Sequence, residues 1–323
     1  MTPGTEMAPP NELDALQILI VVLTYKRPHD LPEALSTLLD QSQAVPWKTS
    51  VLVIDNDPAA SAMKSAADFV SNPVRFVHEP IPGIAAARNR ALAEGQQANL
   101  LIFVDDDERP SAHWLQTLVD TWIRTQPAAV VGPVVSTFAE DPDPWITAGE
   151  FFTRRRMPTG TQIEVAATNN LLLDLRQIND WGLRFDLRFG ASGGSDTLFT
   201  RQIRQLGGTM IWCDEAVVID VVPLSRMTRA WVLQRALRTG NSSSRAAIAL
   251  RGQLGERLAE RVRLTAWGTL RLVAGTARML LGYLTGSLQH QAKGARTLAR
   301  GAGMTGGAWG YTYHEYRRPK QQP

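Results

Sequence analysis

Residues 105–108 read Asp-Asp-Asp-Glu and come directly after an apolar run. Buried carboxylates that lie side by side repel each other, and a hard divalent cation would relieve that repulsion. Mg²⁺ and Mn²⁺ bind carboxylate oxygens and usually share their coordination with substrate phosphates. Alternate residues of a strand point to the same side, so Asp105 and Asp107 are the pair that could approach one ion. The spacing predicts a metal site for a diphosphate substrate, with a solvated acidic turn as the alternative.

Polar clusters also accompany two other apolar runs in the first part of the chain. Residues 25–27 (Tyr-Lys-Arg) follow one run, and residues 55–57 (Asp-Asn-Asp) stand at the end of another. In open α/β sheets, ligands bind beyond the carboxyl ends of the strands. Together with residues 105–107, these clusters therefore predict a nucleotide pocket along one edge of a sheet.

The elements that must position these side chains alternate between short apolar runs and helical patterns. The runs lack polar alternation, as strands buried on both faces do. Strand followed by helix, repeated, predicts a doubly wound α/β fold with a mainly parallel sheet flanked by helices. The predicted strands are Ile18–Thr24, Val51–Asp55, Val74–His78, Leu100–Asp105, Thr209–Cys213 and Ala216–Val222, and the predicted helices are Leu31–Leu39, Ala59–Val70, Ile84–Glu94, Thr197–Leu206 and Met227–Thr239.

The composition of the 323 residues is that of a globular protein, with 44% hydrophobic and 20% charged residues. The net charge of +3 is too small to indicate a nucleic-acid partner. The single cysteine, Cys213, excludes an intrachain disulfide and fits a reducing compartment. The first twelve residues contain no Lys, Arg or apolar run, so we expect a loose tail rather than a signal peptide, and a catalytic part that stays in the cytosol.

Segment 254–293 has an amphipathic pattern. At about 100° per residue, arginines and glycines fall on one side of a helix. The opposite side carries Val262, Ala266, Val273, Leu280 and Leu284. The best apolar window, Leu264–Tyr283, has Arg271 and Arg278 near its middle, which argues against a membrane-spanning helix. We expect a helix that lies in a membrane interface, with packing against the catalytic domain or a spanning hairpin as alternatives.

Six short motifs occur in the order and spacing of one known family. They are residues 22–28 (Val-Leu-Thr-Tyr-Lys-Arg-Pro), 54–56 (Ile-Asp-Asn), 83–92 (Gly-Ile-Ala-Ala-Ala-Arg-Asn-Arg-Ala-Leu), 103–107 (Phe-Val-Asp-Asp-Asp), 168–171 (Thr-Asn-Asn-Leu) and 193–197 (Gly-Gly-Ser-Asp-Thr). Through them the chain resembles the family 2 glycosyltransferases of the GT-A fold over roughly residues 17–240. Residues 222–241, with Trp231 and Arg238, further resemble the bacterial exopolysaccharide branch that includes succinoglycan-type glycosyltransferases.

The resemblance implies that these polar positions bind a nucleotide-diphosphate sugar. Thr24 and Tyr25 would line the base pocket, and Asp55 would accept a hydrogen bond from the base, usually uracil. Arg27 would reach a phosphate. Mg²⁺ or Mn²⁺ would be held through Asp107, with Asp105 nearby.

Four further residues receive roles from the same resemblance. Arg88 would face the diphosphate or the Asp105 cluster, with a simple ion pair as the alternative. Asp106 would contact the sugar or the ribose. Asp196 would be the catalytic base, with capping of the following helix as the alternative. Asp220 stands where related enzymes carry His or Glu, and it would contact the metal or a phosphate, or have no role.

These features predict an inverting, metal-dependent glycosyltransferase that moves a sugar, in the first place from a UDP-sugar, to a lipid-linked or polysaccharide acceptor. The predicted organisation is a tail at 1–14, a GT-A domain at 15–245 and a basic helical region at 246–323 on the cytoplasmic side of the cell membrane. The first alternative is a sugar-nucleotide nucleotidyltransferase, although residues 24–28 lack its glycine-rich phosphate loop. The second is a non-catalytic nucleotide-sugar-binding membrane protein, against which the intact acidic residues argue.

Overall fold

The computed structural model describes residues 15–69 and 73–313. The predicted tail at 1–14, the end of one predicted helix at Val70, and residues 314–323 lie outside the described residues. The chain divides into two compact units. Unit 1 comprises Met1–Val135, Arg154–Phe185 and Phe199–Asp220, and unit 2 comprises Ser136–Thr153, Asp186–Leu198 and Val221–Pro323.

The strands of the described residues form two sheets. They are β1 (Gln17–Thr24), β2 (Lys48–Asp55), β3 (Val74–His78), β4 (Leu100–Asp105), β5 (Glu108–Pro110), β6 (Ala129–Val131), β7 (Val134–Phe138), β8 (Asn170–Asp174), β9 (Met210–Trp212) and β10 (Val218–Val222). The larger sheet has the order β3-β2-β1-β4-β8-β6-β9. Its first four strands pair in parallel, which confirms the mainly parallel sheet, while β8 runs antiparallel to both of its neighbours.

The described residues contain ten α-helices. They are α1 (Asp30–Gln43), α2 (Ala62–Ser65), α3 (Ile84–Glu94), α4 (Trp114–Thr125), α5 (Pro144–Ala148), α6 (Leu175–Asp180), α7 (Ser195–Gln205), α8 (Arg229–Ala249), α9 (Leu254–Thr285) and α10 (Leu288–Ala308). Ile18 and Ile20 of β1 pack in one core with α1 and α4, whereas Leu19 and Val21 pack in a second core with α3 and α6. Burial on both faces explains why the strands are apolar without alternation.

One predicted helix is wrong in extent. The pattern of residues 59–70 predicts a continuous helix, but helix α2 is a single turn and is followed by a 3₁₀ turn at Ala67–Phe69. The helix ends at Ala66, where the backbone leaves helical geometry (φ −126°, ψ 38°). The pattern of apolar runs and helical spacing in the sequence does not predict helix α4, strand β8 or helix α6.

The smaller sheet has the order β5-β10-β7. Strands β5 and β10 are antiparallel, and Asp220 lies directly opposite Glu108. Side chains that face each other across such a pair are close neighbours. Tertiary pairing therefore places Asp220 beside the acidic turn, although 112 positions separate it from Glu108 in the chain.

Three long helices dominate unit 2, and α10 packs against both α8 and α9. Glycines allow the close approach. A Cβ on Gly275 of α9 would lie 2.5 Å from the backbone nitrogen of Leu298, and a Cβ on Gly303 of α10 would lie 1.8 Å from the carbonyl oxygen of Leu237. The amphipathic segment is thus two antiparallel helices, which are separated at Gly286 by a left-handed φ of 69°.

The glycine-bearing side of α9 is buried against α10, and the predicted apolar side faces outward. Between residues 264 and 285, every exposed side chain of α9 is uncharged. Val273 is 63% exposed and Leu284 is 86% exposed. No helix among the described residues has both the length and the apolar character needed to cross a membrane.

Candidate active site

The acidic turn after β4 is held together by Glu108. This buried carboxylate accepts a hydrogen bond from the backbone N–H of Asp105 (3.3 Å) and another from the side-chain amide of Asn169 (2.7 Å). The two bonds link the start of the turn to a distant segment, so they fix the direction in which residues 105–107 leave the strand. Glu108 is not among the site residues predicted from the sequence.

Burial raises the pKa of three carboxyl groups in this turn. The pKa of Asp105 rises to about 6, mainly through desolvation and then through repulsion by Asp107, while Arg88 and Arg154 oppose the rise. Desolvation likewise raises the pKa of Asp106 to about 7. Burial also raises the pKa of Glu108 well above its usual range. The cluster therefore holds more carboxyl groups than it can ionise easily, and added positive charge would stabilise it.

Two residues that follow or end β1 contact the acidic turn. The hydroxyl of Thr24 donates a hydrogen bond to Asp106 (2.7 Å), and the guanidinium of Arg27 forms an ion pair with Asp107 (3.1 Å). Strand β1 lies next to β4 in the sheet, with Leu23 opposite Asp105. The adjacent parallel strands thus explain why predicted site residues from the two motifs meet.

Asp55 ends β2, and Tyr25 directly follows β1. Asp55 lies opposite Thr24, and its carboxylate accepts backbone hydrogen bonds from Asp57 (2.8 Å) and Ala62 (2.7 Å). Each carboxylate oxygen can accept a further bond, so these two contacts leave room for a donor from a base. Tyr25 is 38% exposed, and the ammonium of Lys26 lies 5.4 Å from its ring centre.

Arg88 projects from the first turns of α3 and is buried. Its guanidinium lies over the ring of Phe185 at 5.5 Å, and its charge lowers the pKa of Asp105. The adjacent Asn89 binds the backbone of Phe185 at both ends: its amide nitrogen donates to the carbonyl, and its oxygen accepts from the N–H, each at 2.8 Å. Asn89 therefore holds in place the ring that supports Arg88.

Asp220 joins the same group of charges. The guanidinium of Arg154 forms an ion pair with one of its carboxylate oxygens at 3.1 Å. The other oxygen, Oδ1, is buried and has no hydrogen-bond partner among the described residues. Asp220 also raises, and Arg154 lowers, the pKa of Asp105.

Asp196 belongs to unit 2 and lies in the first turn of α7. Its carboxylate accepts a hydrogen bond from the backbone N–H of Thr197 at 2.7 Å. The two glycines at 193 and 194 have positive φ values of 73° and 90°, and a Cβ on Gly194 would lie 2.8 Å from that of Ser242. The backbone conformation before Asp196 thus requires glycine.

Known proteins resemble this chain in both sequence and fold. The sequence profile of glycosyl transferase family 2 matches residues 19–174. The succinoglycan biosynthesis protein ExoM of Rhizobium meliloti (strain 1021) is 35% identical over 239 residues, which cover 73% of this chain and 76% of ExoM. The chain belongs to glycosyl transferase family 2.

Solved structures support the GT-A fold of this family 2 glycosyltransferase. The mannosyltransferase PcManGT from Pyrobaculum calidifontis, in complex with GDP-Man and Mn²⁺, has a TM-score of 0.58 at 17% identity, over 88% of this chain and 86% of that chain. GalNAc-T7 with UDP, GalNAc and Mn²⁺ has a TM-score of 0.52 at 12% identity, over 77% of this chain and 54% of that chain. At these identities the likeness concerns the fold.

Nine of the ten predicted site residues of this glycosyltransferase fall in unit 1, and Asp196 falls in unit 2. Those in unit 1 are Thr24, Tyr25, Arg27, Asp55, Arg88, Asp105, Asp106, Asp107 and Asp220. The sequence does not indicate a role for Glu108 or Asn89. Asn89 lies within the motif at 83–92, and Glu108 directly follows the motif at 103–107. Arg154 carries no local signal, because it is one of three consecutive arginines in an irregular segment.

Proposed function

We propose that this glycosyltransferase moves a sugar from a nucleotide-diphosphate donor, in the first place a UDP-sugar, to a hydroxyl of a lipid-linked or polysaccharide acceptor, with inversion at the anomeric carbon. The observation that carries the proposal is the set of carboxylates and arginines at the ends of β1 and β4. Carboxylates suit a cation, and guanidinium groups suit phosphates. The relationship to a succinoglycan biosynthesis protein supports a role in polysaccharide synthesis.

The residues present fit a divalent cation. Asp107 and Asp105 would hold it, with Asp220 as a third contact, and the buried Oδ1 of Asp220 lacks a hydrogen-bond partner within residues 15–69 and 73–313. No group of three or more His, Cys, Asp or Glu side chains in those residues forms a complete metal site. Mg²⁺ or Mn²⁺ would therefore share its coordination with the donor, where it offsets the charge on the departing diphosphate.

The other residues of unit 1 would bind and orient the donor. Asp55 accepts a hydrogen bond from the base, and Thr24 and Tyr25 line its pocket. Arg27 and Arg88 bind phosphate oxygens, since a guanidinium can donate two parallel hydrogen bonds. Asp106 contacts the ribose or the sugar.

Asp196 would act as the general base. Its carboxylate takes the proton of the acceptor hydroxyl as the oxygen attacks the anomeric carbon. The new bond joins that oxygen to the carbon, and the bond from the carbon to the diphosphate oxygen breaks. Attack from the face opposite the leaving group inverts the configuration without a covalent intermediate on the enzyme.

The test is a donor screen with bacterial membranes as the source of acceptor. We expect release of nucleoside diphosphate that is lost in EDTA and restored by Mn²⁺ or Mg²⁺. Release of pyrophosphate instead would indicate a nucleotidyltransferase. The Asp196→Asn variant should bind the donor but transfer sugar at least about a hundredfold more slowly, because general bases contribute on that order. Transfer by folded Asp196→Asn at the wild-type rate would exclude this base.

We further propose that the exposed apolar side of α9 lies on the cytoplasmic surface of a membrane. Exposed residues from Ala266 to Leu284 make an uncharged strip, and a rise of about 1.5 Å per residue gives it a length of about 27 Å. Arg271 is half-exposed, its guanidinium lies 5.9 Å from the ring of Trp267 in the strip, and it suits an anionic headgroup. This contact would bring the enzyme to a lipid-linked acceptor.

A further inference from the structure

Arg154 is a positive charge that acts directly on the buried part of the acidic cluster. It forms an ion pair with Asp220, which is 7% exposed, and its charge lowers the pKa of both Asp105 and Glu108. The ion pair is incomplete on both sides. The Nε of Arg154 and the Oδ1 of Asp220 are buried without a hydrogen-bond partner in the described part of the chain.

The two buried atoms without partners leave each residue of this ion pair able to bind a second group. A guanidinium binds a carboxylate best through two parallel hydrogen bonds, whereas Arg154 donates to Asp220 through one nitrogen, Nη2. The unsatisfied atoms are of opposite kinds. A donor is left on Arg154, which suits a phosphate oxygen, and an acceptor is left on Asp220, which suits a cation.

We propose that Arg154 is an internal counter-ion that neutralises Asp105 and Asp220 in the ligand-free enzyme and turns to the donor diphosphate when a divalent cation takes its place. The inference rests on the proposed function. A guanidinium and a divalent cation repel each other if they share the same carboxylates. The diphosphate resolves the conflict, because it brings negative charge that the displaced guanidinium can bind.

The exchange makes binding of cation and nucleotide interdependent. The cation alone must displace Arg154 without compensation, so it binds weakly. With the nucleotide present, Arg154 gains a phosphate partner as it leaves, so each ligand raises the affinity for the other. Free metal then occupies the enzyme little until the donor arrives.

The test compares Arg154→Gln with Arg155→Gln, which removes the same charge from the exposed neighbouring position. Mn²⁺ binding is measured first without nucleotide, from the electron paramagnetic resonance signal of free Mn²⁺. Calorimetry then measures UDP and GDP at saturating Mn²⁺. We expect Arg154→Gln to bind Mn²⁺ alone about fivefold more tightly or better. We expect its affinity for the nucleotide to fall about tenfold or more, because a charge-assisted hydrogen bond is lost. Arg155→Gln should behave as the wild type.

Unchanged Mn²⁺ affinity or unchanged nucleotide affinity in Arg154→Gln would overturn the counter-ion role. If that variant does not fold, Arg154→Lys keeps the charge and loses the Nε donor, so it should bind Mn²⁺ as the wild type does and bind the nucleotide more weakly. Equal nucleotide binding by the lysine variant would again contradict the inference. If the wild type binds neither Mn²⁺ nor a nucleoside diphosphate, the proposed function itself fails.

Discussion

Asp106 is a buried carboxyl group of the acidic turn that pairs with a hydroxyl at the end of β1. The hydroxyl of Thr24 donates to it, and desolvation raises its pKa to about 7. A carboxyl group whose pKa is raised in the folded state favours folding at low pH. This contribution begins to decline as the pH exceeds the usual value of about 4. The decline ends above the folded pKa of about 7.

The Asp106→Asn variant should therefore gain stability relative to the wild type as the pH rises. Asparagine keeps an acceptor for Thr24 but never ionises. One pKa unit corresponds to about 1.4 kcal/mol, so the difference in unfolding free energy should shift by about 2–3 kcal/mol between about pH 5 and about pH 8.5. Urea denaturation of the metal-free protein at both pH values measures it.

The control for this prediction is Asp141→Asn, which removes an exposed carboxylate. Its difference from the wild type should stay within about 0.5 kcal/mol at either pH, as for most surface substitutions. A constant difference for Asp106→Asn across the pH range would show that the carboxyl does not titrate as the structure indicates.

Asn89 supports a second stability prediction at the residue scale. Its side chain makes two hydrogen bonds to the backbone of Phe185, whose ring packs against Phe103, Phe199 and Arg88. Asn89→Ala leaves the N–H and carbonyl of Phe185 without these partners, so we expect a loss of about 2–4 kcal/mol in unfolding free energy. Urea denaturation measures the loss.

The control for Asn89→Ala is Gln96→Ala, which shortens an exposed side chain in the turn after α3. The stability of Gln96→Ala should stay within about 0.5 kcal/mol of the wild type. Denaturation curves that coincide for Asn89→Ala and the wild type would contradict the assigned contact with Phe185.

At the scale of elements, the packing of α8, α9 and α10 depends on glycine positions. A Cβ on Gly303 of α10 would lie 1.8 Å from the carbonyl oxygen of Leu237 on α8, so no Cβ fits there. Gly306 lies on the same helix, and a Cβ there would make an ordinary contact, 3.4 Å from the ring of Tyr311. Alanine substitutions at these two positions therefore distinguish the effect of helix propensity on stability from the effect of contact between helices.

Gly303→Ala should destabilise the enzyme by about 1–3 kcal/mol, because overpacking forces the helices apart. Gly306→Ala should be neutral or stabilising by up to about 1 kcal/mol, because alanine favours helix more than glycine does. Thermal melts followed by circular dichroism measure both. Equal effects of the two substitutions would mean that α8 and α10 do not approach as closely as described.

Across the whole molecule, charged and apolar groups are unevenly distributed, although the net charge is only +3. The acidic cluster lies in unit 1, while the apolar side of α9 and the adjacent Arg271 lie in unit 2. Proteins that act alone in water rarely expose long apolar strips. A membrane surface would cover this strip.

The double variant Val273→Glu/Leu280→Glu should bind vesicles containing phosphatidylglycerol at least about tenfold more weakly than the wild type, because burial of one such side chain contributes about 1.5–3 kcal/mol. Co-sedimentation measures the binding. The control Gln205→Glu/Thr285→Glu adds the same charge, with Gln205 outside the strip and Thr285 at its end. It should weaken vesicle binding less. Equal binding by the wild type and Val273→Glu/Leu280→Glu would exclude α9 as the contact, and an altered oligomeric state would indicate a second copy instead.

Local pattern is sufficient to predict the strands that carry the first acidic and basic clusters. Short apolar runs without polar alternation are typical of strands covered on both faces, so β1 to β4 and their polar ends followed from local pattern. The proximity of Thr24, Asp105 and Asp107 then followed from parallel pairing, since neighbouring strands end at the same edge.

The packing of separated segments selects which distant residues pair within the cluster. Arg154 and Asp220 are 66 positions apart, and although Asp220 lies in a predicted strand, no local pattern indicates that it pairs with Arg154. The antiparallel insertion of β8 and the burial of the glycine side of α9 are likewise results of packing between separated segments. Local pattern specifies which side of an element is apolar, but the element that covers that side, or leaves it exposed, is selected by the packing of the whole chain.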